Sequence, residues 1–324
     1  MFSSKRILFV LALALLPSLA VAEPLAGKLL AEGRVDDAIV SLQSRISGAP
    51  KDAESYNLLC RAYFSLGNWD PGIAACERAV SLDPGNSRYH LWLGRIDGEK
   101  AAHSGFLAAA GLAKKVRNEF ETAVRLNPSD AAARTDLAEF YLEAPGIIGG
   151  GKEKAVTQAE KLSSLDPVKA GWIKARIAEK NKDFVAAESA YCSALQASHG
   201  RADAWVNLAR FYRDRGRFDQ MADAIQHASS APVGQPEILM DAAQVVIRSG
   251  RDLPVAVQLL RRYLSSSSTV EEAPVFKAHY LLGTLLEQQG DKQGAAQEYR
   301  AALSLAKGFS LAQNALDRLN RQVA

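Results

Sequence analysis

The 324-residue sequence carries little net charge and has few cysteines, histidines or aromatic residues. Its formal charge of +3 argues against a dedicated nucleic-acid-binding protein, because such proteins usually show a strong basic excess. Aromatic residues make up only 7% of the chain, while alanine and leucine are abundant, which favours helices. Because 48% of the residues are hydrophobic, the chain can bury a substantial core, and wholesale disorder is not expected.

Motifs of common catalytic and metal-binding sites are also missing from the sequence. The five histidines show no H-x-x-x-H spacing, no C-x-x-C occurs, and no G-x-S-x-G marks a nucleophile. We therefore predict no catalytic residues, no metal site and no cofactor. The expected protein is not an enzyme.

Only one long apolar stretch is present, and it lies at the N-terminus. Lys5 and Arg6 precede the apolar residues 7–16, Pro17 follows, and small residues occupy 20–22. This pattern predicts a cleaved signal peptide over residues 1–22, and thus a periplasmic or secreted protein without a stable membrane anchor. Removing Lys5 and Arg6 takes the formal charge from +3 to +1, and this near-neutral charge argues further against a role in binding nucleic acid or an anionic membrane.

Similar segments recur along the remainder of the chain, over 79–94, 123–138 and 162–173. Each places an apolar helix end before Asp-Pro or Asn-Pro and then begins a new helix. Proline fits there because it cannot continue a helix but is tolerated in the first turn of the next. Pro50 and Pro84 are 34 residues apart, which is a period of known helical repeats.

The segment Trp205-x2-Leu208-Ala209-x2-Tyr212, followed by Gly216, resembles the tetratricopeptide repeat family. Related patterns begin at Tyr56 and His279, and weaker copies cover nearly all of residues 23–324. The resemblance implies an all-α, right-handed solenoid of about seven to eight helical hairpins with a concave groove. Residues 309–324 are expected to form a capping helix.

The segment "APGIIGGGKEKA", residues 144–155, matches the first seven places of a phosphate-binding Walker A loop. That motif needs a buried strand before it and a hydroxyl residue after the lysine. Here a helix precedes the loop, and Glu153 takes the hydroxyl position. We predict no nucleotide binding. The insertion near 144–152 is interpreted as a packed turn or as a contact point for a partner.

A second insertion lies near 101–116, because Pro84 and Pro128 are 44 residues apart. It is expected to lengthen both helices of its hairpin. Residues 106–113 carry no charge, which fits either packing between these helices or an exposed docking patch. The two insertions together resemble a branch of exported bacterial repeat proteins.

Cys60 and Cys76 lie eight residues on either side of position 68, in the turn of the second hairpin. On antiparallel helices this spacing brings them to the same height, so a disulfide is plausible in an oxidising compartment. Closing that short loop would contribute about 3 kcal/mol. The alternative is that both are small packing residues.

The resemblance implies that the first helix of each repeat presents its second, fifth, ninth, twelfth and thirteenth residues to the groove. Arginine occupies the ninth place in four repeats, with further polar residues beside it. The candidate groove residues are Asn57, Arg61, Arg95, Arg176, Arg210 and Arg213. Guanidinium groups suit carboxylates because each offers a planar fork of donors. Alternatively, internal acids neutralise these arginines: Glu54, Glu99, Glu139 and Asp214.

These features predict a non-catalytic periplasmic scaffold for protein–protein interaction, which holds an extended or helical partner segment in its groove. The partner is expected to be acidic or to present a free carboxylate, and its role is in a cell-envelope complex. No nucleic acid is expected to bind. The alternative is an enzyme accessory that binds a small anionic ligand, such as a glycan acid or a peptidoglycan fragment.

Overall fold

The structure is a computed structural model that describes residues 22–230, 237–266 and 269–321. Within these residues it contains seventeen α-helices, one 3₁₀ turn and no β-strand. Residues 1–21, which make up nearly all of the predicted signal peptide, lie outside the described residues. Each described helix is too short or too polar to cross a lipid bilayer.

The first sixteen helices pair into eight antiparallel hairpins, each with an odd-numbered inner helix and an even-numbered outer helix. The first four hairpins are α1 (Ala22–Ala31) with α2 (Val35–Gly48), α3 (Ala53–Leu66) with α4 (Trp69–Leu82), α5 (Ser87–Ala102) with α6 (Phe106–Leu126), and α7 (Ala131–Glu143) with α8 (Lys152–Leu162). The others are α9 (Pro167–Lys180) with α10 (Phe184–Ala197), α11 (Ala202–Asp214) with α12 (Phe218–Ser230), α13 (Glu237–Ser249) with α14 (Leu253–Ser265), and α15 (Val275–Gln288) with α16 (Lys292–Leu305). Helix α17 (Ser310–Arg321) follows and packs on α16. The fold is therefore a helical repeat solenoid.

Local sequence signals set the helix ends. Asp52 and Asp166 cap α3 and α9 by accepting hydrogen bonds from backbone N–H groups of the first turn, and Pro167 occupies the first turn of α9. Gly67 ends α3 with a φ of 76°, a left-handed conformation that glycine adopts without strain. The recurring Asp-Pro and glycine positions thus mark helix boundaries.

Small residues let the two helices of a hairpin approach closely. A Cβ added to Gly94 on α5 would lie 2.5 Å from the ring of Phe120 on α6. A Cβ added to Gly283 on α15 would lie 2.6 Å from the ring of Tyr299 on α16. The large ring on the outer helix therefore fills the space that the glycine leaves, at the interior density typical of proteins.

The solenoid curls until its two ends touch. Leu30 and Leu42 of the first hairpin belong to the same buried cluster as Phe276 and Phe309 near the C-terminus. The Asp36 carboxylate accepts a hydrogen bond of 2.8 Å from the backbone N–H of Lys307. Helix α17 buries one face as a cap does, but the segment just before it also contacts the first hairpins. The concave side is consequently bounded by both ends of the chain.

The third hairpin is longer than its neighbours. Helix α6 has 21 residues and α5 has 16, whereas α3 and α4 have 14 each. Phe106 and Leu107 at the start of α6 are each 86% exposed. These two residues do not pack between the extended helices. Of the two interpretations of residues 106–113, the exposed patch is the one that agrees with their position.

Candidate partner-binding cleft

An interior cleft lies where the inner helices of the second and third hairpins face the C-terminal helices. It consists of two adjoining pockets that share Phe64, Ser65 and Lys277. The polar pocket, of about 260 Å³, also contains Arg61, Trp92, Arg95 and Glu271. The aromatic pocket, of about 480 Å³, is also lined by Trp69, His103, Gln244, Tyr280 and Phe309. Both volumes are near or within the range of small-ligand pockets.

Two arginines of the polar pocket flank one aromatic ring and are held by carboxylates. The guanidinium groups of Arg61 and Arg95 lie 5.1 and 4.9 Å from the ring centre of Trp92. Arg61 makes a bidentate pair with Glu271, in which its Nε donates over 2.8 Å, and both side chains are about 15% exposed or less. Arg95 Nε donates to Asp136 over 2.6 Å. Each positive charge in this pocket that points at Trp92 therefore has a counter-charge.

Paired aromatic rings give the second pocket its walls. Phe64 and Trp69 meet edge to face at 5.9 Å between centroids, on the side of the second hairpin. Tyr280 and Phe309 meet in the same way at 5.4 Å, on the C-terminal side. Such edge-to-face pairs hold their rings in fixed orientations. The pocket thus offers a preformed apolar surface from both ends of the chain.

Lys277 stands at the junction of the two pockets without a counter-ion. Its ammonium makes no ion pair or side-chain hydrogen bond among the described residues, and burial lowers its pKa, partly offset by the more distant Glu99. Lys277 is also the third residue of α15, whose N-terminus has no side-chain cap. A cation at the positive end of a helix dipole is unfavourable. The charge of Lys277 is therefore only partly compensated, by the distant Glu99 and by the ring of Phe276, whose centre lies 5.9 Å from the ammonium.

The remaining candidate arginines are neutralised outside these two pockets. Arg176 pairs with Glu143 at 2.8 Å and with Glu179 at 3.4 Å. Arg210 pairs with Asp241 at 3.4 Å, and Arg213 pairs with its neighbour Asp214 at 2.7 Å. Of the acids proposed from the sequence as internal partners, Asp214 is the one that pairs with an arginine of this group, while Glu143 and Asp241 belong to adjacent hairpins and Glu179 follows Arg176 by three residues.

The prediction that Asn57 faces the groove is wrong. Its side chain is 0% exposed, and neither atom of its amide has a hydrogen-bond partner among the described residues. Helix α3 packs against both α1 and α5, so the fifth position of this repeat lies between helices. Asn57 is therefore a core residue.

A disulfide joins Cys60 on α3 to Cys76 on α4, with the Cα atoms 5.2 Å apart. Cys60 directly precedes Arg61 of the polar pocket. The crosslink therefore ties the inner helix of the cleft to its outer partner.

The glycine-rich loop is folded as a hydrogen-bonded turn, in which Ile147 is exposed. The N–H groups of Gly149, Gly150 and Gly151 donate to carbonyls of Gly146, Pro145 and Tyr141, over 2.9, 3.2 and 2.8 Å. Arg117 on α6 donates to the carbonyl of Ile148, and Lys152 Nζ donates to Asn181. A phosphate cradle requires such amides to point at the ligand. Because carbonyls of the loop and of α7 take these donors, the turn does not form a cradle.

In the part of the chain that the structure describes, no three histidine, cysteine or acidic side chains are placed to hold a metal ion.

Sequence reasoning did not single out Lys277 or the aromatic walls. Lys277 occupies the second position of the last repeat, which is one of the positions assigned to the concave side. A scan of that position for charge would have found it. The aromatic pocket was not foreseeable, since its two walls come from opposite ends of the chain.

Comparisons with known families agree with this architecture. Models described as tetratricopeptide repeat match residues 29–96, 204–237 and 240–308, together slightly more than half of the chain. The chain is a tetratricopeptide repeat protein. Repeats of this family are typically modules for protein interaction, whose stacked units create extended concave surfaces.

One curated relative is a cytochrome c-type biogenesis protein, CycH, of Rhizobium meliloti. It is 29% identical over 155 residues, which is 47% of this chain and 37% of that protein. The match thus spans little more than a third of the relative's length.

Solved structures of other repeat proteins are similar. A thermophilic TPR protein of Thermus thermophilus is 19% identical, with a TM-score of 0.47, over 63% of this chain and 97% of that one. The C-terminal part of a TPR repeat-containing protein from Cytophaga hutchinsonii is 14% identical, with a TM-score of 0.44, over 91% of this chain and 99% of that one.

Proposed function

We propose that this protein is a non-catalytic periplasmic scaffold that holds an extended or helical segment of a partner protein in its interior cleft. The segment places a carboxylate, from an acidic side chain or a free C-terminus, beside Lys277. An apolar side chain next to that carboxylate lies between the rings of the aromatic pocket.

The unpaired ammonium of Lys277 is the observation that carries this proposal. Burial and the helix N-terminus both disfavour its charge, and no protein carboxylate among the described residues bonds to it. A ligand carboxylate at this place gains from the ammonium and from the dipole of α15 together. The binding energy of such a group is therefore larger here than at an exposed lysine.

The aromatic walls support an amphipathic ligand. Phe64, Trp69, Tyr280 and Phe309 present apolar surface on both sides of a pocket of about 480 Å³. Burying one large apolar side chain contributes about 1.5–3 kcal/mol. An acidic group alone would leave this surface unused, so a peptide with an apolar residue fits better.

The cellular setting in this proposal is the cell envelope. The N-terminal pattern of Lys5, Arg6 and the apolar residues 7–16 favours export. A matched relative carries the name of a cytochrome c biogenesis protein, and we extend to this chain only a general role in assembling or coordinating an envelope complex.

Selection from a random peptide library displayed with free C-termini tests the proposal. One selected peptide is synthesised as the free acid and as the amide, and its binding is measured by fluorescence anisotropy. Lys277→Met keeps the length of the side chain and removes the charge. Lys161→Met, at an exposed lysine of α8 outside the cleft, is the matched control.

The proposal predicts tenfold or greater loss of affinity in Lys277→Met and native affinity in Lys161→Met. Amidation should weaken binding when the terminal carboxylate is the group that Lys277 holds. Equal binding to both variants would contradict the assignment of the cleft. Thermal stabilisation by a glycan acid or a peptidoglycan fragment, without any peptide binding, would favour a small-ligand accessory instead.

A further inference from the structure

Helix α6 extends beyond its hairpin at its N-terminal end. Gly94 is the eighth residue of α5, and the ring that fills its space, Phe120, is the fifteenth residue of α6. In the last hairpin, Gly283 meets Tyr299, which is the eighth residue of α16. Helix α6 therefore has seven additional residues before this contact, or about 10 Å of helix.

The inner helix does not follow this extension. After its contact residue Gly94, α5 continues for eight residues, compared with six after Cys60 in α3. Two further residues reach only about 3 Å. The first turns of α6 thus overhang their partner. We call residues 105–113 the α6 tip.

Two large apolar side chains stand on the α6 tip. Phe106 and Leu107 are each 86% exposed, and the residues that follow are alanine, glycine and leucine up to position 113. Single exposed apolar residues are ordinary on protein surfaces, but two adjacent ones at the end of a projecting helix form a convex apolar knob.

The charged residues of segment 100–118 are all basic, although Lys100 pairs with Asp70 and Arg117 approaches Glu121 to 3.9 Å. Residues 100–118 include Lys100, Lys114, Lys115 and Arg117 and contain no aspartate or glutamate. Lys114 is exposed and has no ion pair among the described residues. Lys115 approaches Glu77 only to 3.7 Å, with both side chains more than half exposed. The apolar knob therefore has a basic collar.

The spacing between knob and collar matches a lipid interface. Lys114 follows Phe106 by eight residues, or about 12 Å along the helix. Apolar groups of interfacial segments enter about 5–10 Å into the boundary between headgroups and acyl chains. With Phe106 at that depth, the ammonium groups of Lys114 and Lys115 reach the headgroups, where each lysine contributes attraction to anionic lipid.

We infer that the α6 tip is a peripheral membrane-docking element, which inserts Phe106 and Leu107 into a bilayer with anionic headgroups while Lys114 and Lys115 contact those headgroups. The small formal charge of the whole chain does not oppose this, because attraction decays within about 10 Å and depends on the local charges. A convex knob without hydrogen-bonding side chains suits a lipid surface better than a protein surface.

Helix α10 provides an internal control. It begins with Phe184 and Val185, and Val185 is 82% exposed. The ring of Phe184 is covered by the guanidinium of Arg215 at 4.0 Å, and the acids Asp183 and Glu188 lie in the same turns. An equally exposed apolar residue is therefore present at the start of another outer helix, in a setting of mixed charge that also includes Lys182.

Co-sedimentation of the purified protein with vesicles tests this inference. The vesicles contain phosphatidylcholine alone or phosphatidylcholine mixed with phosphatidylglycerol. The variants are Phe106→Ser/Leu107→Ser, Lys114→Gln/Lys115→Gln and Val185→Ser. All substituted side chains are exposed, so each variant is expected to fold, which circular dichroism verifies.

The native protein and Val185→Ser should bind the phosphatidylglycerol vesicles, and binding should weaken as salt is added. The double serine variant should bind at least tenfold more weakly, because two large apolar groups no longer enter the bilayer. The double glutamine variant should lose the preference for phosphatidylglycerol. In a Phe106→Trp variant, tryptophan emission should shift to shorter wavelength with these vesicles.

Absence of native binding at low salt would overturn the inference, as would native-like binding by the double serine variant. The first result would leave a protein partner as the occupant of the α6 tip, and the second would place the membrane contact on another surface. The peptide-binding test of the interior cleft uses other residues and another ligand, so the two outcomes are independent.

Discussion

The cations of the interior cleft differ in whether a carboxylate of the protein pairs with them. In the polar pocket, Arg61 and Arg95 are each held by a carboxylate from another part of the chain. Lys277, which lines both pockets, has no such partner among the described residues. The Arg61–Glu271 pair joins the two ends of the solenoid and the Arg95–Asp136 pair joins neighbouring hairpins, whereas Lys277 is the cation to which the proposed function assigns the ligand.

Both pockets depend on α3, so removing its crosslink should have the largest effect. We expect Cys60→Ala/Cys76→Ala to lower the free energy of unfolding by about 3 kcal/mol, because the disulfide restricts the unfolded chain. Chemical denaturation with and without a reducing agent measures this. The double variant should no longer respond to reduction. An unchanged denaturation midpoint in the native protein after reduction would show that the crosslink does not stabilise α3.

Breaking the pair in the polar pocket should have the next largest effect. Arg61→Ala leaves the Glu271 carboxylate about 13% exposed and unpaired, which should cost about 2–3 kcal/mol of unfolding free energy. Replacing both residues by methionine should recover most of that loss, since neither charge is then buried. Arg213→Ala is the control, because Arg213 pairs only with its exposed neighbour Asp214. Native stability in Arg61→Ala would mean that this pair does not hold the ends together.

Asp97 on α5 extends the comparison of paired and unpaired charges to an anion, because it is buried in the same helix as the paired Arg95. Its side chain is almost fully buried, and burial raises its pKa from 3.8 to about 6. Between about pH 6 and pH 4, the Asp97 carboxyl is therefore protonated in the folded protein but ionised in the unfolded chain. Its contribution to the free energy of unfolding consequently rises as the pH falls through that window.

Asp97→Asn should accordingly increase the free energy of unfolding more at pH 7 than at pH 4. The two increases should differ by on the order of 2 kcal/mol. Urea denaturation of both proteins at the two pH values gives this difference. A difference between native and variant that is equal at pH 4 and pH 7 would exclude the raised pKa of Asp97.

Removing the unpaired charge should have the smallest effect on stability, and like Asp97→Asn it should be stabilising. Lys277→Met removes a half-buried cation from the N-terminal end of α15, which should raise the free energy of unfolding by about 0.3–1 kcal/mol. The thermal midpoint should rise slightly while peptide binding is lost. A marked fall in the midpoint would reveal a structural role for Lys277 like that of Arg61.

The sequence predicted the repeat architecture well because the 34-residue spacing and the Asp-Pro and glycine boundaries are local signals. It also placed Cys60 and Cys76 at the same height on two helices. Asp214 was predicted as a partner for these arginines, but the partner of Arg61 was not predictable, since Glu271 lies 210 residues from it. That contact, and the cleft itself, exist only because the curvature of eight hairpins brings the two ends of the chain together.

Hydrogen–deuterium exchange of the native protein, with and without a selected carboxylate peptide, tests the central claim most directly. The peptide should slow exchange at the start of α15, over 275–281, and over 64–69 on the opposite wall of the aromatic pocket. Exchange in α9 and α11, which carry Arg176 and Arg210, should not change. Protection limited to α9 and α11, or absent from both walls of the aromatic pocket, would contradict the assignment of the interior cleft as the binding site.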